Sequence, residues 1–263
     1  MTDIANRLRH IPADTVTSLA FFSRLPVRST ASSFALHQSA GGWPISGLVL
    51  ALGPAALFVV ARLADFPAVV AAVLALALYA ALTGAMHEDG LTDSFDGFGG
   101  GRTREDKLAI MRDSRLGAYG ALALLVTFAL KVSALAIIGV RPLHGAIALL
   151  GAAVFSRTLA LWHWNETLPA RRDGMAWAAG RPDWTALFIG LGTGAVAAVI
   201  LLIIFGIAAF MALVMAAAGV GLFSSFAGRQ IGGHTGDTIG AAQQIGEAAL
   251  LAGLSAGGTY IVL

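Results

Sequence analysis

The chain has 263 residues, 57% of them hydrophobic and only 12% charged, with a formal net charge of +2. That composition excludes an ordinary soluble domain, where about a quarter of the residues are charged, and so small a net charge does not suggest a nucleic-acid partner. Without cysteine, disulfide, iron–sulfur and thiolate chemistry are excluded as well.

In chain order, Arg7 and Arg9 precede a short apolar stretch, Val16 to Phe22, interrupted by Thr17 and Ser18 and followed by no small-residue cleavage site. It reads as an amphipathic helix lying at the bilayer interface and not as a secretory signal. A span needs about 20 mostly apolar residues. Seven stretches qualify: 43–63, 67–86, 116–139, 142–162, 185–205, 207–227 and 241–263. The expected fold is all-α, a polytopic integral membrane helical bundle in one domain, 1–263. Residues 1–42 form its cytoplasmic or interfacial N-terminal segment, and 43–263 the transmembrane bundle with polar loops 87–115, 163–184 and 228–240. Phe205-Gly206 is a weak place to divide the apolar run from Thr185 to Ala227, so six and eight spans are the alternatives.

Basic residues orient such a chain, because cytoplasmic loops carry the excess of Lys and Arg. With the N-terminus inside, the inner segments hold Arg7, Arg9, Arg24 and Arg28, then Arg102, Arg104, Lys107, Arg112 and Arg115, then Arg171, Arg172 and Arg181, and finally Arg229. The outer loops hold only Arg62 and Arg141, while Lys131 and Arg157 fall within spans. The expected location is the cell inner membrane with every long polar loop on the cytoplasmic face. A cation-coupled transporter would instead place polar groups at mid-span, so one-sided polarity argues against that alternative. The tryptophans in and beside loop 163–184 read as an interfacial girdle.

Three polar stretches carry candidate chemistry. In "HEDGLTDSFDG", His87 to Gly97, Asp89, Asp93 and Asp96 are spaced i, i+4 and i+7 and share one face of a helix. Oxygen ligands without cysteine or paired histidine suit Mg²⁺, which binds through a few carboxylates plus substrate phosphates. The plainer alternative is a solvated loop whose Asp residues cap the next helix. No second His completes a zincin motif and no GxxxxGK[ST] is present, so a metalloprotease and a P-loop NTPase are excluded. Phe98 and the three glycines after it are expected to break the helix. In "MRDSRLGAYG", Met111 to Gly120, Arg112 and Arg115 offer paired donors for phosphate and Asp113 a further metal ligand. In "GGHTGDTIGA", Gly232 to Ala241, glycines admit close approach and Asp237 adds a carboxylate. Glu247 then stands inside an apolar helix, with Lys131 and Arg157 as natural partners. The glycines at 190, 192 and 194 permit close helix packing, within the chain or in an oligomer.

Together with "FSRLP", Phe22 to Pro26, these stretches occur in an order that resembles the cobalamin synthase (adenosylcobinamide-GDP ribazoletransferase) family, from Phe22 to about Glu247. The resemblance implies a membrane transferase that joins adenosylcobinamide-GDP to α-ribazole or its 5′-phosphate by phosphoryl transfer, with Mg²⁺, releasing GMP. Carried onto this chain, Asp89 and Asp93 with Asp96 or Asp113 would hold the metal, and Asp96 or Asp237 would take the proton of the attacking hydroxyl. Arg112, Arg115 and Arg171 would steady the leaving group. Apart from the resemblance, Lys131, Arg157 and Glu247 are expected as further substrate contacts because ionisable residues within spans signal function by default, structural pairing between helices being the alternative. Glu88 departs from the pattern, since an apolar residue is common before the DGL. A CDP-alcohol phosphotransferase uses a similar acidic motif, but its AR pair and completed GxxxDxxxD are missing here.

Overall fold

A computed structural model describes residues 2–28 and 36–256, with side chains from Arg9 onward. The side chain of Arg7 and the end of the expected last span lie outside the described part. The chain forms α1 (Thr2–Phe22), α2 (Leu36–Ser39), α3 (Trp43–Leu63), α4 (Ala68–Thr83), α5 (Met86–Gly100), α6 (Arg104–Ile110), α7 (Ala118–Ile138), α8 (Pro142–Glu166), α9 (Gly174–Ala179), α10 (Trp184–Phe205), α11 (Ile207–Ile231) and α12 (Gly236–Ser255). Among the described residues, strand-like pairing is limited to one bridge, Pro169 with His234.

The protein is an all-α membrane bundle. Five helical stretches are long and apolar enough to cross a bilayer: 36–63, α7, α8, α10 and α11; a sixth is reached if α4 and α5 count as one broken span. Among the described residues the expected seven is not reached, for two local reasons. After Thr83 both Gly84 (φ 65°) and Ala85 (φ 55°) are left-handed, and the chain turns by 88° into α5. The carboxylate motif thus starts a separate helix and does not close a span. The seventh expected stretch is α12, and it carries Gln243, Gln244 and Glu247 because it is the bundle's central helix. It packs against α5, α7, α8 and α11 and is buried along most of its length. The apolar side chains left exposed, such as Leu125 on α7, Ile203 on α10 and Leu222 on α11, form an outer surface suited to lipid.

Helix packing uses the glycines. A side chain at Gly190 or Gly194 would collide with Leu161 or Thr158 of α8, while Gly192 faces open space. The expected break falls within the glycine run: α5 ends at Gly100 and Gly101 is extended, while Gly97 and Gly99 are contact points for Met111 and Tyr119.

The polar loops gather at one end. Arg24 N donates to Leu82 O at 2.8 Å, Arg104 Nε to Ile231 O at 2.8 Å, and Arg112 pairs with Asp173 at 2.5 Å. At the other end Arg62 Nε donates to Gly139 O at 3.3 Å, two residues before Arg141. The segments rich in basic residues and those poor in them thus occupy opposite ends of the bundle.

Candidate active site

The polar end holds a cleft built on the crossing of α5 and α12. Gly90 makes that crossing tight: a Cβ there would lie 2.7 Å from the carbonyl oxygen of Asp237. Asp89 and Asp93 are therefore carried next to Asp237, and the charges of Asp89, Asp237 and Asp96 all act on Asp93. The Thr235 hydroxyl donates to Asp237 Oδ2 at 3.1 Å. Burial pushes the Asp237 carboxyl above the usual carboxylate range, a shift opposed by Thr235 and Arg171 and helped by Asp89.

The basic side of the cleft depends on Gly232-Gly233. Gly233 (φ 158°) has no room for a side chain, since a Cβ would meet Leu168 O at 1.9 Å. This lets His234 N donate to Leu168 O at 2.8 Å and Ala170 N to His234 O at 2.7 Å. The pairing sets Arg171 beside α12, with Nη2 4.0 Å from Asp237 Oδ2 and Nε 3.5 Å from Asp173. Arg112 reaches the same Asp173 carboxylate with both oxygens within 2.6 Å. One nitrogen of Arg171, Nη1, is buried without a hydrogen-bond partner among the described residues. An unmet buried guanidinium donor is suited to an anionic ligand.

Other expected site residues have different partners. Asp96 is buried, and its oxygens accept from Gly117 N at 2.7 Å and Gly120 N at 2.8 Å. It caps α7, as the plainer reading of the motif allowed, with each oxygen engaged by one backbone amide. Asp113 closes on Arg115 within its own turn, Nε to Oδ1 at 3.0 Å, and that hydrogen bond holds its carboxyl below the usual range. This pair lies at the surface, so Asp113 as metal ligand and Arg115 as phosphate contact are not brought into the cleft.

Lys131, Arg157 and Glu247, expected as substrate contacts, are sealed inside the bundle and nearly inaccessible. Lys131 Nζ donates to Gln244 Oε1 at 2.7 Å and lies 3.4 Å from Glu247. Gln243 Nε2 bridges Glu247 Oε2 at 2.5 Å and Ser156 at 3.0 Å. Arg157 does not pair with Glu247 directly; its Nη1 donates to the Tyr79 hydroxyl at 2.6 Å. Glu88, the unusual residue of the acidic motif, receives Gln244 Nε2 at 3.0 Å and stands 4.0 Å from Lys131. These groups join helices through one another, with Arg157 Nε and Glu88 Oε2 left without a hydrogen-bond partner among the described residues.

Sequence reasoning missed the staples of the polar end. Arg104 reaches Ile231 O and Ala170 O, and Lys107 reaches Gln230, tying α6 to two distant loops. Thr103 and Asp106 close a capping box on α6, and that T-x-x-D spacing was the one signal in the sequence. Also missed was a pocket of about 170 Å³ beside the carboxylates, bordered by Asp89 and Asp237 and walled by Phe22, Trp43, His87 and Trp164.

Among the described residues no three acidic or histidine side chains converge closely enough to hold a metal ion unaided. The donor set nonetheless fits Mg²⁺, which takes one or two carboxylates and completes its shell with water and phosphate oxygens. Asp89 and Asp93 crowd negative charge at the cleft, and the cation nearest Asp237, Arg171, is shared with Asp173.

A lipid-facing bundle with an acidic, arginine-bordered cleft at its polar end defines a membrane enzyme. The particular family is shown by comparison: residues 14–255 match the family described as cobalamin-5-phosphate synthase, and the chain belongs to that family. It is 42% identical over 256 residues to an adenosylcobinamide-GDP ribazoletransferase from Sinorhizobium medicae, covering 94% of this chain and 98% of the relative. Similar proteins of the same name occur in Rhizobium meliloti, 42% identical over 94% of this chain and 98% of the relative, and in Azorhizobium caulinodans, 39% identical over 94% and 97%. No solved structure matches.

Proposed function

We propose that the chain joins adenosylcobinamide-GDP to α-ribazole or its 5′-phosphate and releases GMP, with Mg²⁺, at the inner membrane and with the cleft facing the cytoplasm. The single observation that carries the catalytic assignment is the convergence of Asp89 and Asp93 with Asp237 and Arg171. Phosphoryl transfer asks the protein chiefly for positioning and charge neutralisation. In the reaction, a ribose hydroxyl oxygen bonds to the corrinoid-bearing phosphorus while the bridging P–O bond to GMP breaks.

Asp89 and Asp93 would hold Mg²⁺, which when bound neutralises charge on the diphosphate. Asp237 accepts the hydroxyl proton; a carboxyl raised by burial is a stronger base near neutral pH than a solvated one. Arg171 uses its unmet Nη1 on a phosphate oxygen, and Arg112 steadies it through the shared Asp173. The cytoplasmic assignment is supported by the basic loops at the cleft end of the bundle.

The test is turnover by the purified full chain in detergent with adenosylcobinamide-GDP, α-ribazole and Mg²⁺. Expected are GMP and a new corrinoid product in equal amounts, both abolished by chelation. A well-folded preparation that forms no corrinoid product would overturn the reading.

A further inference from the structure

The pocket beside the carboxylates is built for a flat ring. Phe22 stacks on Trp43 with centroids 4.7 Å apart and planes 13° from parallel. His87 lies 6.1 Å from Trp43, again at 13°. Two ring nitrogens of this set, Trp43 Nε1 and His87 Nε2, have no hydrogen-bond partner among the described residues, although Trp43 is 1% and His87 3% exposed. Buried Trp N–H groups ordinarily find an acceptor, so this pair points to a ligand.

We propose that the pocket holds the benzimidazole ring of the ribazole acceptor, with Trp43 Nε1–H donating to the free ring nitrogen and His87 Nε2 meeting a ribose hydroxyl. The inference rests on the transferase reading above and names where its acceptor binds. The two substrates bring four ring systems, corrin, adenine, guanine and benzimidazole, and the pocket discriminates among them. A corrin macrocycle exceeds a space of about 170 Å³. Guanine and adenine carry polar edges with several donors and acceptors, most of which would be stranded against Phe21, Met86, Trp164 and Ile239. A benzimidazole attached to ribose offers one ring acceptor and is otherwise hydrocarbon, which matches an apolar wall with a single indole donor. Its ribose then extends to the side where Asp89 and Asp237 stand.

The test is isothermal titration of the full chain in detergent with benzimidazole riboside, indole riboside and GDP, each alone and without turnover. Benzimidazole riboside is expected to bind about tenfold more tightly than indole riboside, which lacks the ring nitrogen. Trp43→Phe should remove that difference and leave GDP affinity unchanged; in turnover it should raise the KM for acceptor and not for donor. The ligand comparison needs only wild-type protein, so a poorly folded variant does not spoil it. Equal binding of the two ribosides to wild type, or a Trp43→Phe effect confined to GDP, would overturn the proposal. Selective riboside binding without any transfer product would instead overturn the function and leave the pocket standing.

Discussion

Arg171 reaches Asp237 at 4.0 Å through Nη2 while its Nη1 is buried with no hydrogen-bond partner among the described residues. A guanidinium so placed spans protein carboxylate and substrate phosphate, a fork that lysine cannot reproduce. Arg171→Lys is expected to lower kcat/KM by about 10–100-fold, the loss of one charge-assisted hydrogen bond, with thermal stability unchanged. Wild-type kinetic constants in Arg171→Ala would remove Arg171 from the cleft's chemistry.

Asp96 provides the contrast. Because its oxygens accept from Gly117 N and Gly120 N, Asp96→Ala leaves two amides at the start of α7 unmet. Stability should fall by about 2–4 kcal/mol, read as thermal unfolding in detergent. Asp96→Asn keeps one acceptor and should retain measurable turnover, whereas Asp89→Asn should lose most of it. If Asp96→Asn abolished turnover without lowering the melting temperature, Asp96 would be catalytic after all.

Lys131 and Glu247 form an internal charge pair at 3.4 Å, both almost fully buried. Removing one partner strands the other charge, so Lys131→Met is expected to cost about 3–5 kcal/mol. The double variant Lys131→Met with Glu247→Leu should recover part of the loss, since both charges are then gone. A double-mutant cycle with zero coupling would contradict the network.

Burial lowers the His234 imidazole to about 4, against a weaker opposing hydrogen bond to Thr167 O. The unfolded chain takes up a proton near pH 6.5 that the folded chain refuses until about pH 4, so stability declines as pH falls through that window. The decline amounts to about 3 kcal/mol below pH 4. Melting temperatures of wild type and His234→Gln, compared from pH 7 to pH 5, should converge as pH drops. Parallel curves would show that His234 does not contribute.

The membrane class was legible in composition, and the segregation of basic residues anticipated which loops would share an end. Asp89, Asp93 and Asp237 could be named because acidic side chains in so apolar a chain stand out. What sequence could not show was the distribution of partners. Asp96 shares the helical face of Asp89 and Asp93, yet three residues of further progress along α5 carry it under Gly117. Lys131 and Glu247 looked like substrate contacts because an intramembrane charge signals function by default; here they pair with each other between α7 and α12. Trp43 and His87 went unread as a pair because 44 residues separate groups that stack face to face.

The polar core of α12 has a consequence for how the protein is made. Buried ionisable groups are costly to place in lipid, about 2.5–3.5 kcal/mol each near the centre of a helix on the insertion scale, and Glu247 finds compensation in Lys131 of α7 and, through Gln243, in Ser156 of α8. Both helices precede α12 in synthesis. The bundle must stand ready as a dock before its middle helix enters, and Asp237, at the head of that helix, arrives with it. Asp237 therefore reaches the cleft only once α12 has docked, in the same step that seals the core.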